Sequence, residues 1–208
     1  IAAGTTDGCA TFLASGATEP GEASTALGST IVLKLLSDRP IFAPELGIYS
    51  HRIGDTWLAG GASNCGGKTL LQFFSQEQLA ALESSLDPSK TTGTDYYPLP
   101  SVGERFPVSD PKLAPRLTPR PADDAQFLQG IYEAFARVEQ NGYAKLNALG
   151  GPKLRNVRHA GGGSRSAAWM SLRASALDVP QLPAWSEEAA AGAARLAWRS
   201  LGHEITFA

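Results

Sequence analysis

Residues 24–36 first alternate between polar and apolar positions and then run apolar through Ile31, Val32, Leu33, Leu35 and Leu36, broken by Lys34. This pattern predicts a hairpin of buried strands with Gly28-Ser29-Thr30 at its turn. Further strands are predicted over 47–52 and 55–59. The second leads into Gly60-Gly61-Ala62-Ser63-Asn64-Cys65-Gly66-Gly67, followed by helical spacing at Leu70, Leu71, Phe73 and Phe74. Ser75 with Gln78 makes a capping box for a helix over 76–84. Phe127, Leu128, Ile131, Phe135 and Val138 recur at helical spacing, so a long helix is predicted from Ala122, with Asp123 and Asp124 suited to its N-terminus. A short strand over 155–159 then enters Gly161-Gly162-Gly163-Ser164 and a helix over 166–177. A last helix is predicted over 186–201, capped by Ser186, Glu187 and Glu188. At the other end, residues 1–13 read as a strand end, a tight turn and a short helix over 9–14. Alternating strands and helices define an α/β class, with a sheet order that cannot be read.

Eight of the 14 prolines fall in residues 87–121, which excludes regular helix and central strand there. Tyr96, Tyr97, Phe106 and Leu117 mark that stretch as an ordered, extended excursion wrapped on the domain. The apolar share of 43% and charged share of 18% describe a globular chain. A net charge of −2 argues against a nucleic-acid footprint, which needs a basic face. The longest apolar run, 31–36, falls far short of the ~20 residues that span a bilayer. Cys9 and Cys65 lie far apart, so neither a disulfide framework nor a metal site is supported. Two free thiols in a reducing compartment, cytoplasm or plastid stroma, are expected. The chain opens at Ile1 and enters Gly4-Thr5-Thr6-Asp7-Gly8 almost at once, so its N-terminus reads as a cut.

Candidate chemistry lies in three glycine segments: Gly28-Ser29-Thr30, Gly60-Gly61-Ala62-Ser63 and Gly161-Gly162-Gly163-Ser164. Glycine serves where backbone must approach a ligand closely, and a neighbouring hydroxyl adds a donor to a phosphate oxygen. Each segment alone is more often a tight turn. Neither dinucleotide nor P-loop spacing is present, and the glycines upstream of Lys68 do not fit a P-loop. Asp7 lies in a turn before a helix, where a carboxylate is either a turn residue or N-cap, or a base that takes a hydroxyl proton. His159 precedes the triple glycine, His51 and His203 have no carboxylate or cysteine at ligand spacing, and no metal or Ser-His-Asp role is expected for any of them. Arg52, Arg105, Arg116 and Arg120 are expected in surface ion pairs. Trp169 and Phe127 are expected in the core, with Trp169 one turn beyond the triple glycine.

In this order, Asp7 and the three loops resemble the C-terminal half of the FGGY carbohydrate kinases over nearly the whole chain. Gly4-Thr5-Thr6-Asp7-Gly8 looks like the family's turn bearing the catalytic aspartate, and Leu27-Gly28-Ser29-Thr30 is similar to its second phosphate loop. Gly60-Gly61-Ala62-Ser63-Asn64 matches a further phosphate-approaching loop. Gly161-Gly162-Gly163-Ser164-Arg165-Ser166 with Trp169 resembles the adenosine motif. Residues 188–194 are like the final helix, and Gly103-Glu104-Arg105-Phe106-Pro107 is also at home in the family. The text around 33–40 and 49–52 looks like the small D-ribulose or xylulose kinase-like members of cyanobacteria and plants.

The resemblance implies an actin-like ATPase (ribonuclease H-like) α/β fold, the C-terminal half of a two-domain sugar kinase. Residues 15–186 would form the nucleotide-binding domain. Residues 1–14 and 187–208 would pack with an N-terminal kinase domain, which would supply the Mg²⁺ and sugar sites. The implied reaction is phosphoryl transfer from ATP to a keto-pentose hydroxyl. Asp7 would contact the sugar as base. Gly28, Ser29, Thr30, Gly60 and Gly61 would approach the phosphates, and Gly162, Gly163, Ser166 and Trp169 the adenosine. The chain alone is expected to be inactive and prone to aggregation through Leu196, Ala197, Trp198 and Leu201. A non-catalytic nucleotide-binding member is the alternative, and an actin- or chaperone-type ATPase is a third class.

Overall fold

The structure, a computed structural model, describes residues 4–203. The strand end expected over residues 1–3 lies outside the described residues. α1 (Asp7–Ser15) is followed by β1 (Glu22–Leu27) and β2 (Ile31–Ser37), the predicted hairpin. Then come β3 (Tyr49–Ile53), β4 (Thr56–Ser63), the short α2 (Gly67–Leu70) and α3 (Gln76–Leu82). α4 (Asp124–Ala148), β5 (Asn156–Ala160), α5 (Ala167–Leu177), β6 (Gln181–Pro183) and α6 (Ala189–Ser200) complete the elements of the described residues. The six strands form one mixed sheet in the order β3-β4-β2-β1-β5-β6, with β1, β5 and β6 parallel.

β2 explains why the sheet is covered on both faces. Ile31, Leu33 and Leu35 point to one side and join the main core under α4, while Leu36 meets Cys9 and Phe12 of α1 on the other. α4 buries the predicted stripe fully: Phe127, Leu128, Ile131 and Phe135 are inaccessible. Asp123 caps it by accepting from the Ala125 N–H at 2.9 Å.

The proline-rich residues 87–121 form no regular element beyond isolated bridges, as expected. Polar side chains on α4 hold them down. The Gln129 amide donates to the carbonyls of Asp87 (2.9 Å) and Lys90 (2.6 Å), and Glu133 accepts from the Thr92 N–H (2.8 Å) and hydroxyl (2.7 Å). A chain poor in ladder partners is thereby satisfied by side chains one helical turn apart.

α1 and α6 pair on the far face. Gly192 of α6 sits against the backbone of Ala10, where any Cβ would collide with the Ala10 carbonyl. Arg195 donates to the Leu13 carbonyl at 2.9 Å. The last helix begins at Ala189, three residues beyond the predicted start. Ser186 instead turns the chain by accepting from the Glu188 N–H at 3.1 Å. Cys9 and Cys65 are free and buried.

Candidate functional site

β1 and β5 run parallel, Ala26 beside Ala160, and both continue into glycine turns. Carboxyl ends of neighbouring parallel strands are where α/β sheets open a crevice. Here the crevice is a cleft of about 840 Å³, within the size range of small-molecule sites.

One end is backbone. The β1–β2 turn is laced to residues 65–68: Ile31 donates to the Cys65 carbonyl (2.8 Å), Gly67 to Gly28 (2.9 Å) and Lys68 to Ser29 (3.2 Å). A Cβ at Gly66 would stand 2.7 Å from Ser29 O, so only glycine permits this approach. The Gly28 and Ser29 carbonyls are spent on these bonds. The exposed Ser29 hydroxyl and Lys68 ammonium have no side-chain partner among the described residues. With Arg165 on the same cleft, this end suits a phosphate chain.

A buried carboxylate fixes that end from behind. Glu104, 3% exposed, accepts from Ser63 Oγ (2.6 Å), Asn64 N (2.6 Å), Arg105 N (2.8 Å) and the Tyr97 hydroxyl (3.1 Å). It locks the turn that delivers Gly66, Gly67 and Lys68. Burial, reinforced by Glu104, pushes both the Cys65 thiol and the Tyr97 phenol well up, so both stay protonated.

The other end is apolar. α3 and the turn after it present Gln76, Leu79, Ala80 and Glu83, spaced i, i+3, i+4, i+7, so one helical face lines the cleft. Ser166 caps α5 by accepting from the Trp169 N–H at 3.0 Å, and its hydroxyl donates to Glu83 at 2.9 Å. Glu83 also accepts from the Ala168 N–H at 2.9 Å. Trp169 is 1% exposed and stacks on Tyr132 with centroids 5.2 Å apart. Burial pushes the Tyr132 phenol up to about 12, so it remains neutral.

The structure brings Gly28, Ser29, Gly162, Gly163, Ser166 and Trp169 to this one cleft. Thr30 shares the turn, its carbonyl accepting from Gly28 N at 3.1 Å, without lining the cleft. Gly60 and Gly61 correct the sequence reading. They are not a loop: the β2–β4 ladder continues through both to Ser63, Gly61 opposite Leu33 and Gly60 opposite Lys34. Their missing side chains make room for the Leu33 carbonyl at Gly60 and the Phe106 ring at Gly61. They face a second cleft of about 760 Å³ with Lys34, His51 and Arg105.

Asp7 lies elsewhere again. It opens α1, exposed, accepting from Gly8 N at 2.8 Å, in a depression with Gly4, Thr5 and α6 residues such as Ala193. Arg52, Arg116 and Arg120 make the expected surface pairs, with Asp55, Asp95 and Asp124. Arg105 instead donates to Asn64 Oδ1 at 2.7 Å.

Glu83 was not singled out by the sequence, although the α3 spacing marks a face toward a partner. Among the described residues there is no cluster of three or more His, Cys, Asp or Glu that could hold a metal ion. Nor is any described helix long and apolar enough to cross a membrane.

Backbone glycine turns at parallel strand ends, with the cleft they open, define an α/β domain of the open-sheet type. The chain belongs to the FGGY family of carbohydrate kinases, whose C-terminal domain model matches residues 23–201. Its structure is similar to a xyloylose kinase from Brucella ovis, at 25% identity and TM-score 0.79, over 94% of this chain and 42% of that one. A xylulose kinase from Rhodospirillum rubrum (24% identity, TM-score 0.77, 97% of this chain, 43% of that) shares the fold. So does a Plasmodium falciparum glycerol kinase solved with ADP (16% identity, TM-score 0.74, 96% of this chain, 42% of that). The fold is the actin-like ATPase type, the C-terminal half of these kinases. The chain spans about two fifths of the length of the kinases it matches.

Proposed function

We propose that this chain supplies the ATP site and catalytic aspartate for phosphorylation of a sugar hydroxyl, that of a keto-pentose such as D-ribulose or D-xylulose. The observation that carries the reading is the convergence of the Gly28-Ser29 turn, Gly67-Lys68 and Gly162-Gly163 on one cleft. The phosphates lie along Ser29, Gly67 and Lys68, and the base lies toward Leu79 and Ser166. Phosphoryl transfer depends mostly on positioning and charge neutralisation, which backbone amides and Lys68 supply at this end. Asp7 stands away from the cleft, as suits a group that meets an acceptor sugar arriving from outside this domain. The pairing of α1 with α6, apart from the main core, supports assigning 1–14 and 187–208 to the packing surface of an N-terminal kinase domain. Trp198 and Leu201 are exposed there. Mg²⁺ and most sugar contacts would come from that domain, so the chain alone is inactive. Residues 33–40 and 49–52 support placement among the small ribulose and xylulose kinase-like members.

The test is ATP consumption over a panel of pentuloses by this chain joined to the segment that precedes it in a complete kinase. Turnover on one sugar, abolished by Asp7→Asn with ATP binding retained, is expected. ATP binding without turnover on any sugar would support the second reading, a non-catalytic nucleotide-binding member.

A further inference from the structure

The adenosine end of the cleft has a polar group that family resemblance does not supply. Ser166 has one hydroxyl proton, and it is spent: a carboxylate cannot donate, so the 2.9 Å and 3.1 Å contacts to Glu83 make Ser166 the donor. Its oxygen already accepts from the Trp169 N–H. Ser166 therefore has no proton left for a ligand.

Glu83 holds the opposite position. Its Oε1 accepts from Ser166 and from Ala168 N, while Oε2 accepts, among the described residues, from Ser166 alone, so Oε2 keeps unused lone-pair capacity. Glu83 lines the cleft beside Leu79 and Ala80, at the end remote in character from Lys68. That end has apolar walls for a planar ring and an acceptor where the ring's polar edge arrives.

Resting on the nucleotide reading above, we infer that Glu83 is the base-selecting residue of the cleft and favours a purine carrying an exocyclic 6-amino group over a 6-oxo purine. The 6-amino group donates to Oε2. A 6-oxo purine sets a carbonyl oxygen against a carboxylate, two acceptors with no proton between them at that position. The bonds to Ser166 and Ala168 pre-orient the carboxylate, so little ordering is needed when the base arrives.

The experiment is calorimetric titration of the 208-residue protein with ATP, ITP and inorganic tripolyphosphate. ATP binds at least about tenfold more tightly than ITP, as expected for a hydrogen bond to a charged acceptor. Glu83→Gln brings the two nucleotides within a few-fold of each other and leaves tripolyphosphate affinity unchanged. Ser166→Ala keeps the ATP preference, because the selecting carboxylate remains. An unchanged ATP-to-ITP ratio in folded Glu83→Gln overturns the inference and leaves Glu83 as a helix cap. Should that variant fail to fold, the wild-type ratio decides: equal affinities overturn it. Tripolyphosphate binding without nucleotide preference sinks this inference alone, whereas no binding of any of the three sinks the nucleotide reading as well.

Discussion

Gly163 rests on the face of Trp169. A Cβ added there would fall inside contact distance of Trp169 Cζ3 and stand 2.9 Å from Leu27 Cβ. The triple-glycine segment thus combines a structural requirement at Gly163 with open space at Gly162, where an added Cβ meets nothing within 4 Å. Gly163→Ala should destabilise the fold by about 1–3 kcal/mol through overpacking and weaken ATP binding. Gly162→Ala should leave stability nearly unchanged. Urea unfolding followed by tryptophan fluorescence separates the two, and equal midpoints would contradict the packing argument.

Beneath the cleft, Arg173 and Glu139 form a fully buried bidentate pair at 2.6 Å for both bonds. Thr25 of β1 joins it, donating to Glu139 at 2.6 Å, so the pair ties β1, α4 and α5 together. Arg173→Met leaves a buried carboxylate without its cation and should cost about 3–5 kcal/mol. The double variant Arg173→Met, Glu139→Leu should lose less than Arg173→Met alone. A larger loss for the double variant would refute the uncompensated-charge explanation.

His159 precedes the triple glycine. Burial, with Arg173 nearby, holds its imidazole below the ordinary 6.5. In the unfolded chain this residue takes up a proton near pH 6.5, whereas the folded protein resists until a lower pH. Its stability contribution is therefore present above 6.5 and lost as pH falls through the folded value. The slope of stability against pH below 6.5 should be shallower in His159→Gln. His51 is depressed in the same direction by burial and Lys34, so part of the slope persists. An identical slope in the variant would remove His159 from the account.

The α1–α6 pairing depends on Gly192. Gly192→Val should force the helices apart, because the side chain would occupy the position of the Ala10 carbonyl. Hydrogen exchange should quicken across α1 while α4 stays protected. Uniform quickening would mean that α1 and α6 belong to the same cooperative unit as the main core.

Much of this was legible in the sequence because local signals agreed with tertiary needs. The Ser75–Gln78 capping box, the α4 stripe and the β1–β2 turn all formed where periodicity and caps placed them. Gly60 and Gly61 misled because paired glycines signal a turn locally, while here they relieve crowding inside a ladder against Phe106 and the Leu33 carbonyl. Their environment is set by a strand and a meander distant in sequence. β6 went unseen for a related reason: Gln181, Leu182 and Pro183 pair with β5 without any alternation of their own. At the site, glycine and hydroxyl positions could be read, but the roles of Glu83 and Glu104 required knowing which donors face each carboxylate.

Hydrogen exchange of the 208-residue protein with and without Mg²⁺ and ATP decides whether the nucleotide occupies this cleft. Slowed exchange at residues 27–30, 66–69 and 161–169 is predicted, since phosphates and base would occupy both ends of one cleft. Unchanged exchange there, or slowing confined to residues 47–51 and 105–109 around the second cleft, would contradict it.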